Sequence, residues 1–382
     1  MSIPSTMTQA VGRKEFPILA SSTYLVSHSM GAAPLGAKDA LDAYWKDWAT
    51  DGPEAWERWL PRIGEIADGI GEIIGAPAGS VFLGPNVSLL QSALASCLRF
   101  TPDRNEVVYE ALQFPSLTYV WTEWQRFGAQ PRIVPSDDGR TIETERIVAA
   151  ITERTVIAVL SHAYYVSGAV ADVQAIQAHC RKTGTLLCVD AYQTTGVFPY
   201  DVTKWDLDIV TGGSHKWLCG GPGCGWIYIR PDLRETFEPA VTGWMAHARP
   251  FSFEPAPMTW ASNMYRWGNG TPTIPGYLVA KPGHDLIKSV GVARIREHNM
   301  RLTTLIANLA LERGFQVNTP LDPEKRTGWI GIDFPDSERA YHSLVERRVF
   351  VDYRPGCGIR VGPHYYTTDA EVHALFEALE RR

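Results

Sequence analysis

The chain has 382 residues, of which 45% are apolar and 20% charged, so it can bury a real core and is not a disordered linker. At roughly 150 residues per domain, the length suggests two domains. The 36 Lys and Arg stand against 42 Asp and Glu, a net charge of −6, which excludes the clustered basic excess that a nucleic-acid footprint needs.

The 13 Trp point to a deep, rigid pocket, a large interface, or both. The six cysteines are Cys97, Cys180, Cys188, Cys219, Cys224 and Cys357. None of their spacings suits a zinc ribbon or a redox pair, so reduced thiols in a cytoplasmic protein without a metal site are expected. Residues Met1 to Thr6 hold no basic region followed by an apolar run, and no signal peptide is expected. No stretch of 18 apolar residues occurs, so no membrane span is expected either.

In chain order, residues 1–30 form a polar, Pro-containing arm ending in Thr23-Tyr24-Leu25-Val26. The pattern from Gly36 to Gly75 is helical, broken at Asp51-Gly52-Pro53. Its Trp45, Trp48, Trp56 and Trp59 are spaced for a core or dimer-facing stripe. An alternation of short apolar strands and helices follows. Strands are predicted at 80–83, 106–109, 132–134, 156–160, 186–189, 209–210 and 226–229, and helices at 86–98, 116–127, 143–151 and 172–182. That rhythm defines an α/β fold, a mostly parallel seven-stranded sheet sandwiched by helices. Ligands bind such sheets at the carboxyl ends of the strands.

The texture changes near residue 276. A single long helix is predicted from Pro282 to Arg313, then a strand at 330–334 and a helix at 337–347. Strands at 349–351 and 358–361 precede a last helix at 368–379, capped by Thr367 or Thr368. The expected organisation is an arm over 1–30, a large α/β domain over 31–275 and a small α+β domain over 276–382.

The strongest chemical signal is the run from Thr211 to Gly225, Thr-Gly-Gly-Ser-His-Lys-Trp-Leu-Cys-Gly-Gly-Pro-Gly-Cys-Gly. Lys216 follows a strand and precedes a Gly-rich turn that permits close backbone approach. Ser214 and His215 beside it can hydrogen-bond a phosphate. Upstream, Asp190 ends an apolar strand, where a carboxylate is costly unless paired. One helix-and-strand excursion separates it from Lys216, so both can return to the same sheet edge. An acid that holds a pyridinium proton and a Schiff-base lysine are what a pyridoxal phosphate site requires.

With these residues in place, the chain resembles the fold-type I pyridoxal phosphate enzymes of the class V aminotransferase group, and within it the kynureninases. The resemblance spans Tyr24 to Glu377. It implies that Lys216 bonds the cofactor and that Asp190 pairs with the pyridine nitrogen. Asn86, Val87 and Ser88 open a helix at the position of the phosphate-binding turn. Phe114, in Gln113-Phe114-Pro115-Ser116, matches the aromatic stacked on the cofactor ring in kynureninases. His162 lies in the strand-end loop beside the cofactor. Trp244, in Gly243-Trp244-Met245-Ala246-His247, matches a Trp that reaches the phosphate. Thr271 sits where class V members place a phosphate ligand from the neighbouring subunit.

For the substrate, the resemblance implies contacts from Ser29 and Asn269, and an α-carboxylate held by Arg360, whose planar fork suits it. Three positions depart from kynureninases. Gln193 stands where they carry His, His215 where they carry Tyr, and Pro53 in a segment where they place a substrate-contacting His. Gln193 and His215 follow the broader class V pattern. The implied protein is a homodimer with sites at the subunit interface. It would act on an amino acid by kynureninase-like Cβ–Cγ hydrolysis or a related side-chain cleavage, or else as another class V transaminase, β-lyase, desulfurase or decarboxylase.

Overall fold

The computed structural model describes residues 10–255 and 257–380. Residues 1–9 of the expected arm lie outside the described residues. In chain order the elements are β1 (Thr23–Tyr24), α1 (Leu35–Asp51), α2 (Trp56–Ile74), β2 (Val81–Gly84), α3 (Val87–Ser96), β3 (Glu106–Glu110), α4 (Pro115–Glu123), β4 (Gln130–Val134), α5 (Thr144–Ala150), β5 (Thr155–Ser161), α6 (Val173–Thr183) and β6 (Leu186–Asp190). There follow β7 (Ile209–Gly213), β8 (Gly225–Ile229), α7 (Pro231–Arg234), α8 (Ile274–Val290), α9 (Val292–Glu312), β9 (Gln316–Val317), β10 (Ile330–Asp333), α10 (Ser337–Glu346), β11 (Val349–Phe350), β12 (Asp352–Arg354), β13 (Gly358–Val361) and α11 (Asp369–Glu380).

The central sheet has seven strands in the order β2-β8-β7-β6-β5-β3-β4. Only β8 runs against its neighbours. Side-chain alternation divides each strand between two apolar layers. Val107, Tyr109, Ile157, Val159 and Cys188 pack under α3 and α4. Val108, Ala158, Leu160, Leu187 and Val189 face α2, α5 and α6. All seven residues of β5 are buried, as a strand covered on both faces requires.

A second sheet, β12-β13-β10-β9, packs with α9, α10 and α11 around its own apolar cluster. Thr368 caps α11 through a reciprocal pair, with Thr368 N–H donating to Glu371 at 2.8 Å and Glu371 N–H to Thr368 Oγ1 at 3.2 Å. Such a box satisfies two helix-end amides at once.

Three expectations are corrected. The helix predicted from Pro282 to Arg313 is two helices, divided at Gly291, whose φ of 87° lies outside the helical region. The first of them starts earlier, at Ile274, with a Pro in its opening turn where no N–H is needed. The strand expected at 349–351 pairs instead with the arm, Thr23 and Tyr24 running parallel to Val349 and Phe350. Leu25 N–H also donates to Phe350, and Gly362 N–H to Leu25. The arm is thus stitched into the C-terminal part of the chain. It packs Phe16, Leu19 and Tyr24 with Trp217, Trp329, Tyr365 and Tyr366 in a cluster joining both halves.

Candidate active site

The parallel register brings the strand ends together. Ser161 of β5 lies opposite Asp190 of β6, and Asp190 opposite Thr211 of β7. Lys216 follows β7 by three residues, so its side chain reaches back over the ends of β5 and β6. A cavity of about 210 Å³ opens there, lined by Asn86, Val87, Ser88, Phe114, Ser116, Ser161, Ala163, Tyr165, Asp190, Tyr192, Gln193, His215 and Lys216.

Lys216 Nζ stands 5.1 Å from the centre of the Tyr192 ring and 5.6 Å from that of Phe114. Burial lowers its pKa from 10.5 to about 8, partly offset by Asp190. A neutral, nucleophilic amine is therefore available near neutral pH. Asp190 is buried, and its Oδ1 accepts the Tyr192 N–H at 2.9 Å. Burial raises this carboxyl to about 6, against the pull of Tyr192 N–H and Lys216. A cationic ring nitrogen placed against it would reverse that shift. His215 lies beside Tyr192 with ring centres 5.4 Å apart, and burial followed by the Lys216 charge lowers it to about 4. It is a neutral imidazole.

Two glycines make the arrangement possible. A Cβ on Gly213 would lie 2.2 Å from Tyr192 Cε1, and one on Gly31 would lie 2.2 Å from the Lys216 carbonyl oxygen. Gly31 N–H also donates to the His215 carbonyl at 2.8 Å. The arm thereby clamps the lysine loop from outside.

On the opposite wall, Asn86 caps α3 by accepting the Leu89 N–H at 3.1 Å. The first-turn amides and the helix dipole make this end an anion cradle. Phe114 is held through its backbone. Its N–H donates to Gln113 Oε1 at 2.9 Å, and Ser161 Oγ donates to the same oxygen at 2.7 Å. The Phe114 ring meets Tyr165 edge-on at 5.4 Å. Gln193 is buried in the wall, with Oε1 lacking any hydrogen-bond partner. That orphaned amide atom, the acid at the strand end, the buried amine and the anion cradle fit pyridoxal phosphate group by group.

Several expected positions lie elsewhere. His162 does not line the cavity. Strand alternation turns it to the other side of the sheet, where Nδ1 pairs with Thr194 Oγ1 at 2.9 Å among Phe198, Tyr200 and Trp205. Ser214 is buried against His284, at 2.8 Å from Nε2, instead of facing an anion. Ser29, Trp244, Asn269 and Thr271 are absent from the cavity wall. Trp244 packs with Phe251 and Phe253, Asn269 borders a separate apolar groove near Pro85 and Leu89, and Thr271 is exposed. Arg360 is buried behind Tyr165, whose carbonyl accepts its Nη1 at 2.6 Å. Tyr165, Tyr192 and Ser116 were not singled out in the sequence, although Tyr192 sits within Asp190-Ala191-Tyr192-Gln193.

Fold and site together define a pyridoxal phosphate enzyme of fold-type I. The description "Aminotransferase class-V" matches residues 57–375, and the chain belongs to that family. It is 28% identical to an uncharacterized aminotransferase, YcbU, of Bacillus subtilis (strain 168), over 96% of each chain. It is 27% identical to a kynureninase of Pseudomonas fluorescens, covering 97% of this chain and 92% of that one. Among solved structures, the apo cysteine desulfurase of Thermococcus onnurineus NA1 superposes with a TM-score of 0.86 at 19% identity, over 99% of each chain. A lysine-to-alanine mutant of C-DES, with glycine covalently linked to its PLP cofactor, gives 0.87 at 20% identity, over 96% of this chain and 99% of that one. At such identities these two structures show the fold.

Proposed function

We propose that this enzyme cleaves the side chain of an α-amino acid, by Cβ–Cγ hydrolysis of a γ-oxo amino acid or loss of a β-substituent. The observation that carries this reading is the convergence of Lys216, Asp190 and Phe114 on one cavity, with Arg360 a single carbonyl away. When bound, pyridoxal phosphate supplies an electron sink for negative charge at the α-carbon. Asp190 holds the proton on the ring nitrogen. Phe114 covers one ring face, oriented by Gln113. Lys216 Nζ, with its lowered pKa, removes and returns the proton at the α-carbon. Arg360 binds the α-carboxylate, and Phe114 and Tyr165, edge-on to each other, form the cavity wall on that side.

Desulfurase-type thiol chemistry has less support. Cys357, three residues before Arg360, is buried, and burial raises its thiol to about 11. A thiolate nucleophile is disfavoured there. Another class V activity, as a transaminase, β-lyase or decarboxylase, is favoured by Gln193 and His215, and its transaminase form by the uncharacterized aminotransferase relative.

The same proposal makes the enzyme a homodimer. Trp244, Asn269 and Thr271 are carried on packed loops whose approach needs Gly243, since a Cβ there would fall 2.0 Å from the Asn269 carbonyl. They are absent from their own chain's cavity wall, and a second copy would receive them. The deciding experiment incubates the holoenzyme with kynurenine and other γ-oxo amino acids and assays anthranilate and alanine. Release of alanine is expected. If no γ-oxo amino acid yields alanine, hydrolysis is refuted; stoichiometric oxo acid in a single turnover would establish transamination.

A further inference from the structure

Arg360 does not stand as a free cation. In the antiparallel pair of β12 and β13, Asp352 lies directly opposite Arg360, so the two side chains share one face. Arg360 Nη2 donates to Asp352 Oδ2, while Nη1 donates to the Tyr165 carbonyl at 2.6 Å. The guanidinium carbon lies 5.2 Å from the centre of the Trp329 ring. Both partners of the ion pair are buried, at 3% and 7% exposure.

Asp352 has two further neighbours. Arg354 Nη1 is 3.0 Å from Oδ1, and His28 Nε2 is 3.7 Å from Oδ2. Burial pushes the Asp352 carboxyl up, but His28 and Arg360 outweigh it and hold it well below the usual range. His28 is completely buried; its Nδ1 has no partner, and its Nε2 has only the long 3.7 Å approach to Asp352. Burial lowers it to about 3, so it is neutral. A Cβ on Gly362 would lie 2.3 Å from His28 Nδ1. The imidazole is therefore wedged between the backbone of β13 and Asp352.

A buried ion pair is poor evidence of a stabilising role, because desolvation of both charges offsets their attraction. Geometry explains this one better. A lone bond from Nη1 to Tyr165 would leave the guanidinium free to swing, because the long Arg side chain is rich in rotamers. The second anchor, at Nη2, fixes its plane. Each Nη keeps another N–H and Nε has no partner, and such N–H groups on a fixed planar fork suit a carboxylate.

We propose that Asp352 is a positioning residue that sets the plane of Arg360 for the substrate α-carboxylate, with His28 wedged behind it as a stop. Arg354 shares Asp352, so the cluster keeps one net positive charge, and the remaining N–H groups of Arg360 set the direction from which the carboxylate binds. This inference rests on the reading of the cavity as an amino-acid site.

The test is calorimetric titration of holoenzyme with L-alanine and L-alaninamide, which differ only at the carboxylate. Wild type should prefer alanine. Asp352→Ala should weaken alanine binding by about tenfold, leave alaninamide within about twofold, and so erode the preference. Asp352→Asn, which keeps the shape and one acceptor, should give a smaller loss in the same direction, and it carries the test if the alanine variant does not fold. Alanine binding that is unchanged or tighter in the folded variants, or equal loss of both probes, overturns the role of Asp352 while leaving the amino-acid site standing. A wild-type enzyme that does not distinguish the two probes overturns both the site reading and this inference.

Discussion

The strand-end wall and the 243–272 loops are both rich in expected site residues, yet they are built differently. Ser161, Asp190 and Lys216 leave neighbouring parallel strands and meet in one cavity within one chain. Trp244, Asn269 and Thr271 ride on irregular backbone held by short 3₁₀ turns, the first two half-buried and Thr271 exposed. Neighbouring β-strands share a register, so their ends converge automatically. Loops have no such constraint and place their side chains wherever packing, here with Phe251 and Phe253, allows. The difference teaches that strand ends gather half of the expected site in one cavity, whereas the loops leave the other half off its wall.

The comparison can be broken first at its centre. Lys216→Ala should lower turnover by about 10³-fold or more and abolish the visible absorbance of lysine-bound cofactor. A variant that kept full activity would refute the cofactor site. Asp190→Asn removes the charge that holds the ring-nitrogen proton, and a loss of about 100-fold is expected in steady-state turnover.

Capture of cofactor by the apo-protein should slow about tenfold per pH unit below about 8, because only neutral Lys216 attacks. Stopped-flow absorbance measures this. The sign for folding agrees. A lowered lysine pKa means the unfolded chain binds more protons between about 8 and 10.5, so the stability of the apo form rises with pH across that window.

The outer half is tested by mixing chains. Trp244→Ala should weaken cofactor binding by about tenfold by fluorescence titration. Randomly mixed with Lys216→Ala chains, it should recover about a quarter of the wild-type sites, since each mixed dimer rebuilds one complete site. No recovery would place both halves in one chain. The smallest effect is expected of Gln113→Leu, which frees the Phe114 backbone and the Ser161 hydroxyl. It should raise KM by a factor of about three to ten with little change in fold, read by kinetics and circular dichroism.

The alternating strands, the acid at the end of β6 and the lysine after β7 were legible in the chain because each is a local pattern. Apolar runs of five residues, a polar residue at a strand end and a Gly-rich turn need no knowledge of the rest. The cap at Thr368 and the break at Gly52 were legible for the same reason. The division at Gly291 was not, because the helical pattern continues on both sides of that glycine and only its backbone angle interrupts it.

Where side chains point was decided by tertiary structure. His162 and Ser161 are neighbours, and the pleat alone sends one to the cavity and the other to Thr194. Ser214 goes to His284 because α8, some 70 residues later, packs there. Asp352 meets Arg360 only through the register of β12 against β13. By itself the sequence determined the class of fold and the anionic cofactor, since those follow from local pattern and residue chemistry. Tertiary structure decided which candidates share one cavity, that Arg360 is anchored by Asp352 and Tyr165, and that Trp244, Asn269 and Thr271 lie off the cavity wall, because long-range packing and strand register set the direction of every side chain.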